Sequence, residues 1–148
     1  MSSGTKPADD VTRRVGYRLK QAQNALRTRM DTALRPLGIT SPQYAVLAGI
    51  ADEPGVSNAA LARRAFVTPQ TMQGVVANLE KAGLLSRSEH PTHGRILRAE
   101  LTKAGGAVLR RAHGVVADVE QAMLTGMSAA DKAKLALLLG ACAENLGD

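Results

Sequence analysis

Residues 57–83, SNAALARRAFVTPQTMQGVVANLEKAG, carry two short helical apolar patterns with room for only a tight turn between them. From Ser57 the first pattern is expected to bury Leu61, Ala62, Ala65 and Phe66. After Val67 the second spans residues 69–82, with Thr68 as cap, Pro69 at the first helical position and Gly83 as a left-handed stop. Met72, Val75, Val76 and Leu79 recur at helical spacing, which leaves Gln70, Gln73, Gly74, Ala77, Asn78 and Lys81 on the opposite side. Two short helices joined by a tight turn make a helix-turn-helix. The outer side of the second helix carries one charge, Lys81, where most solvated helices carry many Glu and Lys. Its amides and hydroxyls suit base edges in a major groove; a merely solvated face is the alternative.

The flanks complete a mainly α fold with a small β-hairpin wing. A long helix is expected over residues 11–37, ending at Gly38, with the stripe Val15, Leu19, Ala22, Leu26, Met30, Ala33 and Leu37. The next helix has Ser41 as cap and Pro42 first, and buries Tyr44, Leu47, Ala48 and Ala51 before ADEPG ends it. Beyond Gly83 the pattern alternates: LLSRSE and GRILRAEL read as strands around the tip HPTHG, with Leu97, Ala99 and Leu101 inward and Ile96, Arg98 and Glu100 outward. Thr102 caps a helix reaching about residue 124, with the stripe Val108, Ala112, Val115, Val119 and Met123. Ser128 and Asp131 open the last helix, with the stripe Leu135, Leu138, Leu139, Cys142 and Leu146. The expected organisation is a disordered segment 1–10 and a single domain 11–148, in which a winged helix (41–102) sits between dimerisation helices (11–37 and 103–148). Three amphipathic helices exceed what a winged helix needs to close its core, and their stripes suit a two-fold dimer.

Composition narrows the function. The 148 residues fit one domain, and the aromatic content of 2% (Tyr17, Tyr44, Phe66) demands an aliphatic core. The formal net charge is +6, with the densest positive excess over residues 61–103, which favours a polyanionic partner such as double-stranded DNA. No run of 18 apolar residues occurs and the N-terminus lacks a signal-peptide core, so no membrane association and a cytoplasmic location are expected. There is no P-loop, nucleotide-binding glycine fingerprint, nucleophile elbow or metalloprotease helix, and Cys142 on an apolar stripe reads as buried. An enzyme is therefore not expected, nor a cofactor. His90 and His93 are too few to make a metal site.

The segments PQYAVL, LARRAFVTPQTMQGVVANLEKAGLLSR and GRILRAELTKAG, in this order and spacing, resemble the MarR family of bacterial transcription regulators, and the resemblance extends over residues 11–146. It implies a dimeric winged-helix DNA-binding protein, usually a repressor of nearby genes, released from DNA by a small, often phenolic ligand held between the winged helix and the dimerisation helices. Two positions depart from the family pattern. His93 stands where the wing commonly carries an Asp two residues before the matching Arg95, and Gly74 where many members have Arg.

Base contacts are expected from Gln70, Thr71 and Gln73, at the N-terminal part of the second helix of the motif. Phosphate contacts are expected from Ser41, Ser57, Asn58 and Thr68 at helix starts and from Arg63, Arg64, Lys81 and Arg87, although the hydroxyls have caps as their plain role. In the wing, Arg95 beside His93 is expected to enter the minor groove. Arg14, Tyr17, Arg18, Tyr44 and His113 are candidates for a small aromatic ligand, with solvated or core-edge roles as the alternative. A winged helix used only to bind protein, and a metal- or thiol-responsive regulator, are the competing functions.

Overall fold

The computed structural model describes residues 10–89 and 97–147. Its elements are α1 (Val15–Leu34), α2 (Ser41–Asp52), α3 (Asn58–Ala65), α4 (Pro69–Lys81), β1 (Leu85–Glu89), β2 (Leu97–Leu101), α5 (Lys103–Met123) and α6 (Ala129–Leu146). The expected hairpin tip, with His90, His93, Arg95 and Ile96, lies outside the described residues, as do residues 1–9.

The helix expected over residues 11–37 is three pieces. Asp10 caps a short 3-10 turn, Val11–Arg13, and Arg14 is extended (φ −69°, ψ 145°) before α1 begins. At the far end Pro36 lies in a second 3-10 turn, Arg35–Leu37, which Gly38 ends at φ 76°. A proline supplies no N–H for the α-helical bond, so the tighter turn takes over there. α2 starts one residue earlier than expected. Thr40, not Ser41, is the cap: it accepts from the Gln43 backbone N–H at 3.3 Å, while Gln43 Oε1 accepts from the Thr40 N–H at 2.9 Å. Ser41 turns instead to Asp31 Oδ1, donating from N at 3.1 Å and from Oγ at 2.7 Å.

α2 lies in the middle of the core and buries Val46, Leu47, Gly49 and Ile50. Of the expected set only Leu47 is fully buried; Tyr44 and Ala48 are half-buried and Ala51 is exposed. The run AVLAGIA holds no polar residue to mark a solvent side, so periodicity alone does not fix the buried arc. Around α2 pack Leu34, Leu61, Met72, Leu79 and Leu85, all essentially without exposure. Gly49 permits this closeness, because a Cβ there would stand 2.8 Å from Leu61 Cδ2.

The helix-turn-helix forms where the pattern placed it. Ser57 Oγ accepts from the Ala60 N–H at 3.1 Å, and Thr68 Oγ1 from the Thr71 N–H at 3.1 Å. Asn58 Nδ2 donates to the Pro69 carbonyl at 3.2 Å and so ties the starts of α3 and α4 together. Phe66 corrects the expected core: it caps α3 in the left-handed region (φ 57°, ψ 41°), which turns the ring outward to 95% exposure while Val67 packs inward.

β1 and β2 pair antiparallel, with Leu85 opposite Leu101 and Arg87 opposite Ala99. Leu85 and Ala99 are buried and Leu101 half-buried, as the alternation required. The Gly55 N–H reaches the Ala99 carbonyl at 3.1 Å and fastens the loop after α2 to the hairpin. The entry into α5 is clamped to the exit from α4, since Thr102 donates from N to the Leu84 carbonyl at 3.2 Å and from Oγ1 to the Gly83 carbonyl at 2.6 Å. Gly105 makes this approach possible: a Cβ there would lie 1.8 Å from the Leu84 oxygen.

The terminal helices leave apolar surface bare. α6 has no buried residue, and Leu137, Leu138, Leu139 and Leu146 are exposed, as are Val15 and Leu19 on α1. The fully buried residue of α1 is Leu34, off the expected stripe. Cys142 is exposed, contrary to its expected burial, because no described element packs extensively on α6 to cover it.

Replacing Phe66 with Gly should stabilise the fold by about 1 kcal/mol, because the left-handed conformation costs roughly 1–2 kcal/mol for a residue with Cβ and glycine returns about half of that in backbone entropy. Calorimetry should show the melting midpoint rising by roughly 2–4 °C. A lowered midpoint would mean that the ring packs on something in the folded protein.

Candidate nucleic-acid interface

α4 separates cleanly into two sides. Met72, Val76 and Leu79 are buried, and Val75 packs at the core edge. Thr68, Gln70, Thr71, Gln73, Gly74, Asn78 and Lys81 are exposed. Thr68 donates its hydroxyl to Thr71 Oγ1 at 3.0 Å while capping the helix, so these two hydroxyls orient one another. Gln70 and Gln73 make no side-chain hydrogen bond among the described residues, and their amides remain available. An amide that pairs bidentately with adenine needs both its carbonyl and its NH₂ uncommitted.

The cations expected at phosphates divide into two groups. Arg64 is paired with Asp52 across α2 and α3. Arg87 donates from Nε and Nη2 to the Glu80 carboxylate, both at 3.2 Å. That fork holds the Glu80 carboxyl below its usual value and raises Arg87. Arg63 and Lys81 are exposed and make no ion pair among the described residues. Of the hydroxyls, Ser57 and Thr68 are caps and Ser41 is committed to the Asp31 carboxylate, whose negative charge disfavours a phosphate beside it. Asp31, Asp52 and Glu80 were not singled out in the sequence. The Glu80–Arg87 pair spans a seven-residue turn that the Gly83 stop makes foreseeable, whereas Asp52 and Arg64 meet only through the packing of α2 on α3.

A second group of residues meets on the other side of α2. Tyr44 Oη and His113 Nδ1 are 2.7 Å apart, and the rings stand edge to face with centroids 5.4 Å apart. Burial, and then the Asp52 carboxylate, push the Tyr44 hydroxyl above its ordinary value, so it stays a phenol at neutral pH. A phenol donates to a neutral imidazole nitrogen and accepts from a protonated one, so the contact persists in either state. Arg14, Tyr17 and Arg18 are not brought to this pair within one chain. Ala22 and Leu26 of α1 line a cleft with Val119, Ala122 and Met123, while Ala33 lies near Val115. The two helices therefore run antiparallel, which places Arg14–Arg18 beyond the end of α5 remote from His113. The cleft, of about 210 Å³ and bordered by Arg29, was not foreseen; its signature is the small side chains Ala22, Ala25 and Ala122.

A helix-turn-helix closed by a two-stranded hairpin and framed by long helices defines the class of winged helix-turn-helix regulators. The model of the MarR family matches residues 37–96. The HTH-type transcriptional repressor Rv2887 of Mycobacterium tuberculosis is 40% identical over 122 residues, which is 82% of this chain and 86% of that protein. The chain belongs to the MarR family. The crystal structure of Rv2887 in complex with salicylic acid matches with a TM-score of 0.75 at 37% identity, covering 91% of this chain and 98% of that one. The Rv2887 complex with DNA gives 0.71 at 36% identity, with coverage of 91% and 98%. The PcaV transcriptional regulator from Streptomyces coelicolor, in complex with its natural ligand, gives 0.80 at 30% identity, with coverage of 91% and 95%.

The Glu80–Arg87 pair predicts a specific acid response. Because the folded Glu80 value is lowered from 4.5, its stabilisation is complete above that value and fades as pH falls through the lowered one. Melting midpoints measured from pH 6 down to pH 3 should therefore decline less for Glu80→Gln than for the wild type. Parallel curves would show that the pair contributes nothing to folding.

Proposed function

We propose that the protein is a homodimeric repressor that binds a near-palindromic operator through two copies of α4 and leaves it when a small aromatic acid or phenol binds. The observation that carries this reading is the outer face of α4: exposed, free of acidic residues over its first three turns, and bearing uncommitted Gln70 and Gln73 above a fully buried stripe. Gln70, Thr71 and Gln73 read bases. Arg63, Lys81, Ser57 and Asn58 hold phosphates, and Arg64 and Arg87 join them by exchanging a carboxylate for a phosphate. Arg95, with His93, enters the minor groove from the wing. The DNA complex of Rv2887 supports DNA as the partner. Kinship with named transcriptional repressors supports repression as its action, and a cytoplasmic, non-enzymatic role without cofactor accords with it.

The ligand half of the proposal rests on Tyr44 and His113, a half-buried phenol and an exposed imidazole that meet edge to face between α2 and α5 and offer an aromatic face beside polar atoms. Arg14, Tyr17 and Arg18 reach such a site only from the α1 of a second copy. One relative, Rv2887, solved in complex with salicylic acid and with p-aminosalicylic acid, supports an aromatic acid as the ligand class. No described helix is long and apolar enough to cross a membrane.

Binding to the DNA upstream of its own coding sequence provides the test. The chain should hold one near-palindromic site, with half-sites one helical turn apart, and log affinity should fall linearly with log salt. Saturating salicylate should weaken that binding by about 5- to 150-fold, and Tyr44→Phe should blunt this response with little change in operator affinity. A flat salt dependence with no preference over scrambled duplex would favour a protein-binding winged helix instead.

A further inference from the structure

Phe66 breaks two ordinary rules at once. Its ring is 95% exposed, and among the described residues it is the only one other than glycine with positive φ. Large exposed apolar side chains elsewhere lie on the terminal helices and the turn between α5 and α6: Val15, Tyr17, Leu19, Met127, Leu138 and their neighbours. Among the described residues, Phe66 alone of these lies within the winged helix. It is also held firmly, because its N–H bonds to the Arg63 carbonyl at 3.2 Å and the next N–H, of Val67, bonds to Ala62 at 3.0 Å while the Val67 side chain packs on the core. The ring is therefore displayed on a fixed backbone, and strain together with exposure at one residue points to a use in recognition.

Its position says what it meets. Only Val67 and Thr68 separate Phe66 from Pro69, so its Cα lies within about 11 Å of the first residue of α4. Thr68, Gln70 and Thr71 are exposed beside it, and Arg63 lies one helical turn before it. This surface is polar and cationic, suited to a polyanion, and the apolar group that a DNA major groove offers is the thymine methyl. We propose that Phe66 is a specificity-determining contact whose ring seats on the 5-methyl group of a thymine at the edge of each half-site. The inference rests on the DNA-binding reading above.

The test uses the full chain and duplexes of its upstream operator in which each thymine is replaced in turn by deoxyuridine, which deletes only the methyl group. Wild-type affinity should fall about four-fold at one thymine in each half-site, the worth of one buried methyl-sized group, and hardly at the others. Phe66→Ala should bind the natural operator more weakly by at least that factor and should no longer distinguish thymine from uracil at that position. Phe66→Leu should keep part of the discrimination. Circular dichroism and sedimentation should show both variants folded and assembled as the wild type. Wild-type binding of Phe66→Ala, or weakened binding with the thymine-to-uracil step intact, would overturn the contact, and loss of assembly would place the ring at a protein interface instead. A wild-type chain that prefers no duplex would overturn the DNA-binding reading itself, and this contact with it.

Discussion

Apolar surface that one chain cannot cover is the constraint on which the rest of this structure depends. The winged helix closes its core with α2, the buried end of α1 and the first half of α5, and then has nothing left to place on α6 or on the first half of α1. Leu137, Leu138, Leu139 and Leu146 project exposed from α6 among the described residues, and the alanine-lined cleft between α1 and α5 is open. Such surface is withdrawn from water by association. A second copy offers the same surfaces, and two-fold symmetry lets each face meet its counterpart. Two copies of α4 then stand in a fixed relation, which a palindromic site requires.

That relation is transmitted through short, stiff links. Thr102 and Gly105 clamp the start of α5 to the end of α4, so the recognition helix cannot tilt without moving the helix that enters the terminal bundle. Tyr44 and His113 join α2 to α5 about two turns further along. The ligand proposed for that second link would act on DNA affinity only as far as it prefers one relative placement of α4 over another. The clamp makes such a preference consequential, since α2, α4 and α5 share one core.

Much of this was legible in the sequence, and the reasons are specific. Thr68, Pro69 and Gly83 fixed both ends of the recognition helix because a cap, a rigid φ and a left-handed stop act locally. Met72, Val76 and Leu79 could be placed because polar residues lie opposite them. α2 resists the same reasoning, because its run of apolar residues leaves the buried arc undefined: Tyr44 and Ala48 pack at the core edge, Ala51 is exposed, and Val46 and Ile50 take the centre. Phe66 and Cys142 were expected inside because apolar character was taken as burial. The first is turned out by its own backbone, and the second belongs to a stripe that no described element buries. The ion pair of Arg64 with Asp52 depends on the packing of α2 on α3, and the assembly of Tyr44 with His113 joins residues 69 apart.

Sedimentation equilibrium of the purified chain at micromolar concentration tests the central claim most directly. The account predicts a single species of twice the chain mass, with Leu138→Asp shifting it toward the chain mass. A wild-type protein that sediments at the mass of one chain would show that the bare faces of α1 and α6 are tolerated in water, and would contradict the account.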